Sequence, residues 1–254
     1  MLPFPAGYNV QTHQKFRLSE DLDEISGIGF DTTRNRILAI QDEDGRVYHI
    51  NPENGDEIED FKFGKSGDYE DIAQTPAGWF YLKSNGNLYF AGDSVQQKFE
   101  AEKISYPRKD DEFESLYFDP QREALMMICK ECDSDKNGSP GVYSYSIAEK
   151  KFSDEAVFTL EKPAVDAKLK KPDEYFRPSA AAIHPVQKKL YILASQQKLL
   201  VIASTDGKIE QVFPLDKKLF KQAEGICFKP NGDMFISNEA ADGYANILYF
   251  PYKP

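Results

Sequence analysis

Three glutamates head a recurring short segment, and their shared position is the first chemistry the sequence offers. The five segments open Ser26-Gly27-Ile28, Glu70-Asp71-Ile72, Glu114-Ser115-Leu116, Ser179-Ala180-Ala181 and Glu224-Gly225-Ile226. Carboxylates that converge on one axis repel one another, so they need a cation, a shared proton or hydrogen-bonding neighbours. A hard cation such as Ca²⁺ takes about 6 to 8 oxygen ligands in loose geometry. Glu70, Glu114 and Glu224, with the hydroxyl of Ser26, form the candidate ligand set. The competing reading makes each Glu a cap for backbone N–H groups of the neighbouring repeat, or an ion-pair partner of Arg177, Lys83 or Lys130.

Other chemistry has thinner support. His13, His49 and His184 lack metalloprotease spacing, and His184 stands where other repeats carry turn residues, so all three read as structural. The chain has no nucleophile elbow, phosphate-binding loop or dinucleotide fingerprint. Cys129 and Cys132 make a single CxxC with Cys227 left over, too few for a disulfide framework and short of the roughly four ligands of structural zinc. Their redox state stays open at this point. Asp133 to Gly138 resembles a calcium loop but lacks the closing Glu, and reads as a solvated hairpin tip.

The segments begin at 26, 70, 114, 179 and 224, which gives spacings of 44, 44, 65 and 45. A period of 44 is the length of a propeller blade. Each opening is followed by a second apolar strand, as at Arg36 to Gln41 and Leu190 to Ser195, and then by further strands across hairpin turns such as Asn54-Gly55 and Asp206-Gly207. Four antiparallel strands per repeat make a blade. The predicted fold is all-β, a five-bladed β-propeller forming one domain over residues 1–254, with a six-bladed ring as the alternative. The longer gap predicts a short helical insertion at about 163–176. Gln14 to Leu18 alternates polar and apolar, and is expected to supply the outer strand of the last blade and so close the ring.

Inner strands line a propeller's channel, and the second strand runs antiparallel to the first. The starts of the first strands and the ends of the second therefore share one mouth. That mouth collects Asp68 and Arg177 from strand starts and Asp42, Lys83, Lys130, Glu131, Asn238 and Glu239 from strand ends, beside the three recurring glutamates. These eight are the candidate ligand-binding residues.

Net charge is −11, which opposes binding to nucleic acid or anionic membrane surfaces. No apolar run approaches the ~20 residues that span a bilayer. Met1 to Pro5 has neither a basic n-region nor an apolar h-region, so any leader is expected to be absent from this chain. A monomer is expected, with a small molecule, glycan or protein as partner.

Several long matches in one order give the chain a family resemblance. They are Leu22 to Ile28, Ile40 to Gly45, Gly67 to Ile72, Arg177 to Pro185, Glu224-Gly225-Ile226 and Ile236 to Ala240. The chain resembles the SdiA-regulated (YjiK-like) β-propeller family, in particular its shorter Bacteroidetes-type members. The resemblance implies a cell-envelope or secreted propeller and no particular activity. Glu-Gly-Ile is also similar to the channel glutamates of calcium-dependent lactonase propellers, a likeness that carries over to Glu70, Glu114 and Glu224. It implies an alternative function, a metal-dependent hydrolase of lactones, esters or phosphoesters.

Overall fold

The computed structural model describes residues 2–92, 99–132, 135, 138–169, 171, 175–241 and 243–254. Asp133, Ser134, Lys136 and Asn137 of the predicted hairpin tip lie outside the described residues. So do Lys170, Pro172, Asp173 and Glu174 of the predicted helical insertion.

A first strand, β1 (Gln14–Arg17), precedes five antiparallel sheets. Blade one is β2 (Ile25–Asp31), β3 (Arg36–Gln41), β4 (Arg46–Ile50) and β5 (Glu57–Lys62), and blade two is β6 (Tyr69–Thr75), β7 (Gly78–Lys83), β8 (Leu88–Gly92) and β9 (Glu102–Ile104). Blade three comprises β10 (Glu112–Asp119), β11 (Ala124–Glu131) and β12 (Gly141–Ser146), with its outer position shared by the two-residue strands β13 (Lys151–Phe152) and β14 (Phe158–Thr159). Helix α1 (Lys162–Asp166) follows, shorter than the predicted insertion, with Pro near its start and a Lys162–Asp166 ion pair across its single turn. Blade four is β15 (Ala180–Ile183), β16 (Leu190–Ala194), β17 (Leu199–Ala203) and β18 (Ile209–Pro214). Blade five is β19 (Ala223–Phe228), β20 (Met234–Asn238) and β21 (Asn246–Phe250), completed by β1 in register Phe16 to Ile247.

Five blades, not six, close the ring. Each inner strand abuts its two neighbours: β2 touches β6 and β19, β10 touches β6 and β15, and β15 touches β19. The core lies between blades. Between blades one and two, Leu38, Ile40 and Val47 pack on Tyr69, Trp79 and Tyr81, and equivalent layers fill the other four interfaces. Full burial on both sides explains why β3, β16 and β17 read as continuous apolar runs rather than as alternating ones. Among the described residues no helix is long and apolar enough to cross a membrane.

Four of the five turns from first to second strand share one device. Asp31 accepts from the backbone N–H of Thr33 at 2.9 Å, Thr75 from Ala77 at 3.1 Å and Asp119 from Gln121 at 2.8 Å. His184 occupies the same repeat position, and its Nδ1 accepts from Val186 at 3.1 Å and Gln187 at 3.0 Å. A nitrogen that accepts carries no proton, which agrees with burial pushing His184 down to about 4. The imidazole thus does the work of an Asp turn cap. His184→Phe would keep a ring among Tyr8, Tyr191, Phe228 and Tyr252 while removing the acceptor. The expected cost is about 1 kcal/mol, a fall of roughly 2–4 °C in melting temperature for a chain of this size. An unchanged melt would show the acceptor to be dispensable.

Candidate functional site

Each recurring glutamate sits on a backbone irregularity. In β6, Tyr69 pairs with Lys83 and Asp71 with Leu82, which leaves Glu70 as the extra residue of a bulge. Glu114 is skipped in the same way between Phe113 and Ser115, and Glu224 between Ala223 and Gly225. In β2 the register shifts across Ser26 and Gly27. A bulge bends the strand and re-aims its extra side chain, and here Ser26, Glu70, Glu114 and Glu224 from the four irregular strands reach one cavity.

That cavity has a volume of about 170 Å³ and is lined by Ser26, Asp42, Glu70, Glu114, Ser179, Glu224 and Glu239. Six of the candidate residues therefore meet: Ser26, Asp42, Glu70, Glu114, Glu224 and Glu239. Close approach at its floor depends on glycine. A Cβ on Gly27 would collide with the Asp71 side chain and backbone, and one on Gly225 with the Ser237 hydroxyl.

The remaining candidates lie elsewhere. Lys83 turns sideways, its ammonium 4.3 Å from the Tyr69 ring centroid and 5.5 Å from that of Tyr89. Asp68 lies close enough to Glu70 to help raise its carboxyl, but outside the cavity lining. Lys130 pairs with Glu114, and with Glu112 at 3.3 Å. With Glu131 and Arg177, which pair at 3.3 Å, it lines a neighbouring hollow beside Cys132 and Asp135. Asn238 is buried in blade five, its amide donating to Asn246.

Electrostatics mark the cavity as short of positive charge. Burial, then Glu114 and Asp68, push Glu70 up to about 9. Burial, Glu114 and Glu239 push Glu224 up to about 8. Burial, with Glu24, Asp42 and Glu114, brings Glu239 to about 7. Asp42 is also raised, by burial first, and its Oδ1 is buried with no hydrogen-bond partner among the described residues. Burial raises Glu114 although Lys130 opposes the shift. In the other direction, burial opposes the charged form of Lys130, but Glu114 and Glu112 outweigh it and raise the ammonium.

Sequence reasoning left two residues out of the candidate set. Ser179 lines the cavity while clasping blades four and five, donating to the Ala223 carbonyl at 2.8 Å and accepting from the Ser195 N–H at 3.2 Å. Asp71 lies below Glu70, fully buried, at the repeat position where the other blades have Gly27, Ser115, Ala180 and Gly225. Alignment of the five repeats carries that signal, since Asp71 is the one charged residue in the column.

Cys129 and Cys132 form a disulfide. With Asp135 they are the one set among the described residues whose three potential ligand atoms all lie within 4.8 Å of one another. Oxidation ties up both sulfurs.

A family model described as SdiA-regulated matches residues 4–245. The chain belongs to the SdiA-regulated family. No curated protein matches this SdiA-regulated propeller significantly. Solved structures do. Myxococcus xanthus glutaminyl cyclase aligns with a TM-score of 0.64 at 11% identity, covering 93% of each chain. A Bacteroides thetaiotaomicron VPI-5482 protein of unknown function aligns at 0.56 and 12%, covering 95% of this chain and 76% of its own. A luciferin-regenerating enzyme aligns at 0.54 and 11%, covering 94% and 95%. At these identities the SdiA-regulated chain shares a fold with them, and chemistry does not follow from fold.

Proposed function

We propose that this SdiA-regulated propeller binds a cationic ligand at the acidic mouth of its channel. One observation carries the reading: five carboxyl groups, from blades one, two, three and five, line a cavity whose lining, among the described residues, includes no cation. All of its donors are oxygens, the set a hard ion such as Ca²⁺ prefers. Glu70, Glu114 and Glu224, with Ser26, would hold such an ion. No three of these carboxylates bring oxygens within 4.8 Å of one another, so the resting arrangement suits a partly hydrated ion or an organic ammonium, either of which brings its own hydrogen-bond donors. The Cys129–Cys132 disulfide supports an oxidising compartment, in keeping with an envelope or secreted location.

A second reading, hydrolysis of a lactone, ester or phosphoester at a bound metal, is favoured by Glu239. A carboxyl that titrates near neutrality suits general acid–base work.

Isothermal titration with CaCl₂ and with propylammonium chloride, at about pH 8.5 where Glu239 and Glu224 are mostly ionised, tests the proposal. Saturable binding is expected for wild type and a loss of at least about tenfold in the Glu70→Gln/Glu224→Gln variant. Absence of saturable heat from either cation overturns it. Chelator-sensitive turnover in an ester and lactone screen, lost in the same variant, would select the hydrolase.

A further inference from the structure

The opposite mouth of the channel has the reverse character. The C-terminal halves of the five inner strands and the turns behind them line a cavity of about 340 Å³ that shares no residue with the acidic one. Its inner ring is Ile28, Ile72, Leu116, Ala181 and Ile226, and its outer ring is Phe30, Gln74, Phe118, Ile183 and Phe228. The volume falls within the roughly 300–1,000 Å³ of small-molecule pockets, and so does the composition, apolar walls with few polar groups.

Charge around this mouth is selective. Among the described residues no Asp or Glu lines it. Arg34 and Arg122, in the turns at this end, are neutralised by Asp31 at 2.8 Å and Asp119 at 2.5 Å. Lys188 lines the cavity from an exposed turn position. Lys229, next in sequence to Phe228 but outside the lining, holds its ammonium 5.5 Å from the ring centroids of Phe235 and Tyr249 and 5.8 Å from that of Phe30. Among the described residues neither lysine has a carboxylate within ion-pair distance. In a chain of net charge −11, an apolar funnel whose described lining holds one lysine, Lys188, and no acid, with the Lys229 ammonium near Phe30, is complementary to an apolar anion.

We propose that this mouth binds a small amphiphilic carboxylate, an alkyl or aryl acid whose apolar body enters the two rings while its carboxylate stays at the rim with Lys188. Bodies of this kind gain from burial in proportion to the apolar area removed from water, and the rim cation selects the sign of the head group. The site is separate from the acidic mouth, so each proposal stands or falls alone.

The fold supplies its own reporter. Trp79 is the chain's one tryptophan, fully buried, and packs so closely behind Gly29 that a Cβ there would meet its ring. Gly29 against that ring, and Ile72 in the same apolar cluster as Trp79, line the cavity. Fluorescence of Trp79 and isothermal titration would be followed with octanoate, octylammonium and octanol. Octanoate is expected to bind saturably and more tightly than the other two, and Lys188→Glu and Gln74→Glu each to weaken it by about tenfold. Ala182→Phe, which adds bulk to the wall, should abolish binding. If that variant fails to fold by circular dichroism, the two rim variants still decide the outcome. Octylammonium binding as tightly as octanoate, octanoate binding indifferent to both rim variants, or no binding by any of the three overturns the proposal.

Discussion

Without divalent cations, the protein melts several degrees lower at pH 9 than at pH 5.5. The carboxyls of the acidic mouth dictate the direction. Glu70, Glu224 and Glu239 are raised in the folded state to about 9, 8 and 7, chiefly by burial and then by one another's charge. A group raised in this way holds its proton more tightly folded than unfolded. Its stabilising contribution is complete below the ordinary glutamate value of about 4.3 and is lost as pH climbs through the folded value. His49 and His184 act in the opposite sense. Burial lowers both to about 4, so their contribution is present above the ordinary value of about 6.5 and is lost as pH falls. Three carboxyls outweigh two imidazoles until pH reaches about 5, where the unfolded chain's own glutamates begin to take up protons. Glu70→Gln/Glu224→Gln, which fixes the neutral form, should flatten the alkaline limb, and millimolar CaCl₂ at pH 8.5 should raise the wild-type melt towards its acid value. Scanning calorimetry across pH in buffers of matched ionic strength makes the comparison. A wild-type melt equal at the two pH values would mean that the mouth carries no excess of buried negative charge.

Such a strain is hard to see in a linear sequence, although its ingredients are there. The return of Glu at the openings of three of the five repeats, Glu70, Glu114 and Glu224, was legible because these strands begin in equivalent surroundings, so the same residue type comes back at the same phase of the repeat. Closure of the ring by Gln14 to Arg17 was legible from alternation, since β1 is an outer strand with Phe16 buried between exposed neighbours. The bulges were not legible. A register shift depends on how two strands pair, and nothing in Tyr69-Glu70-Asp71 states that Glu70 will be the unpaired residue. Without it, strict alternation would send Glu70 and Asp71 to opposite sides of the strand, whereas the first lines the acidic cavity and the second plugs the neck below it.

Strand-end residues were ambiguous for a similar reason. Lys83 and Asp42 were placed at one mouth by topology alone. Side-chain length and neighbours then decided their fates: the Lys83 stem reaches back over Tyr69, while Asp42, with one rotatable carbon, stays where the backbone puts it. His184 is the converse case. Its turn position was visible, but its role as acceptor needed the geometry of the Val186 and Gln187 N–H groups.

Asp71→Ala is expected to be the most damaging single change in the channel. The carboxyl is fully buried and accepts from the Ile72 N–H at 2.8 Å through one oxygen and from the Leu116 N–H at 2.7 Å through the other. It thereby staples the inner strand of blade two to that of blade three between the acidic and the apolar mouths. Burial pushes its pKa well up, with the two backbone donors opposing the shift. Removing the carboxyl leaves two buried N–H groups without acceptors, at about 1–3 kcal/mol each. At roughly 2–4 °C per kcal/mol, the melting temperature should fall by on the order of 10 °C. Asp71→Asn keeps one acceptor but turns an amide NH₂ towards the second N–H, so its loss should fall between those of wild type and Ala. This ordering separates a hydrogen-bonding staple from a space-filling one, because Asn matches Asp in volume. If Asp71→Asn melts with wild type while Asp71→Ala falls, packing alone holds the neck. If neither falls, blades two and three are held together by their apolar interface, Ala73, Phe80 and Leu82 against Leu116, Leu125 and Met127.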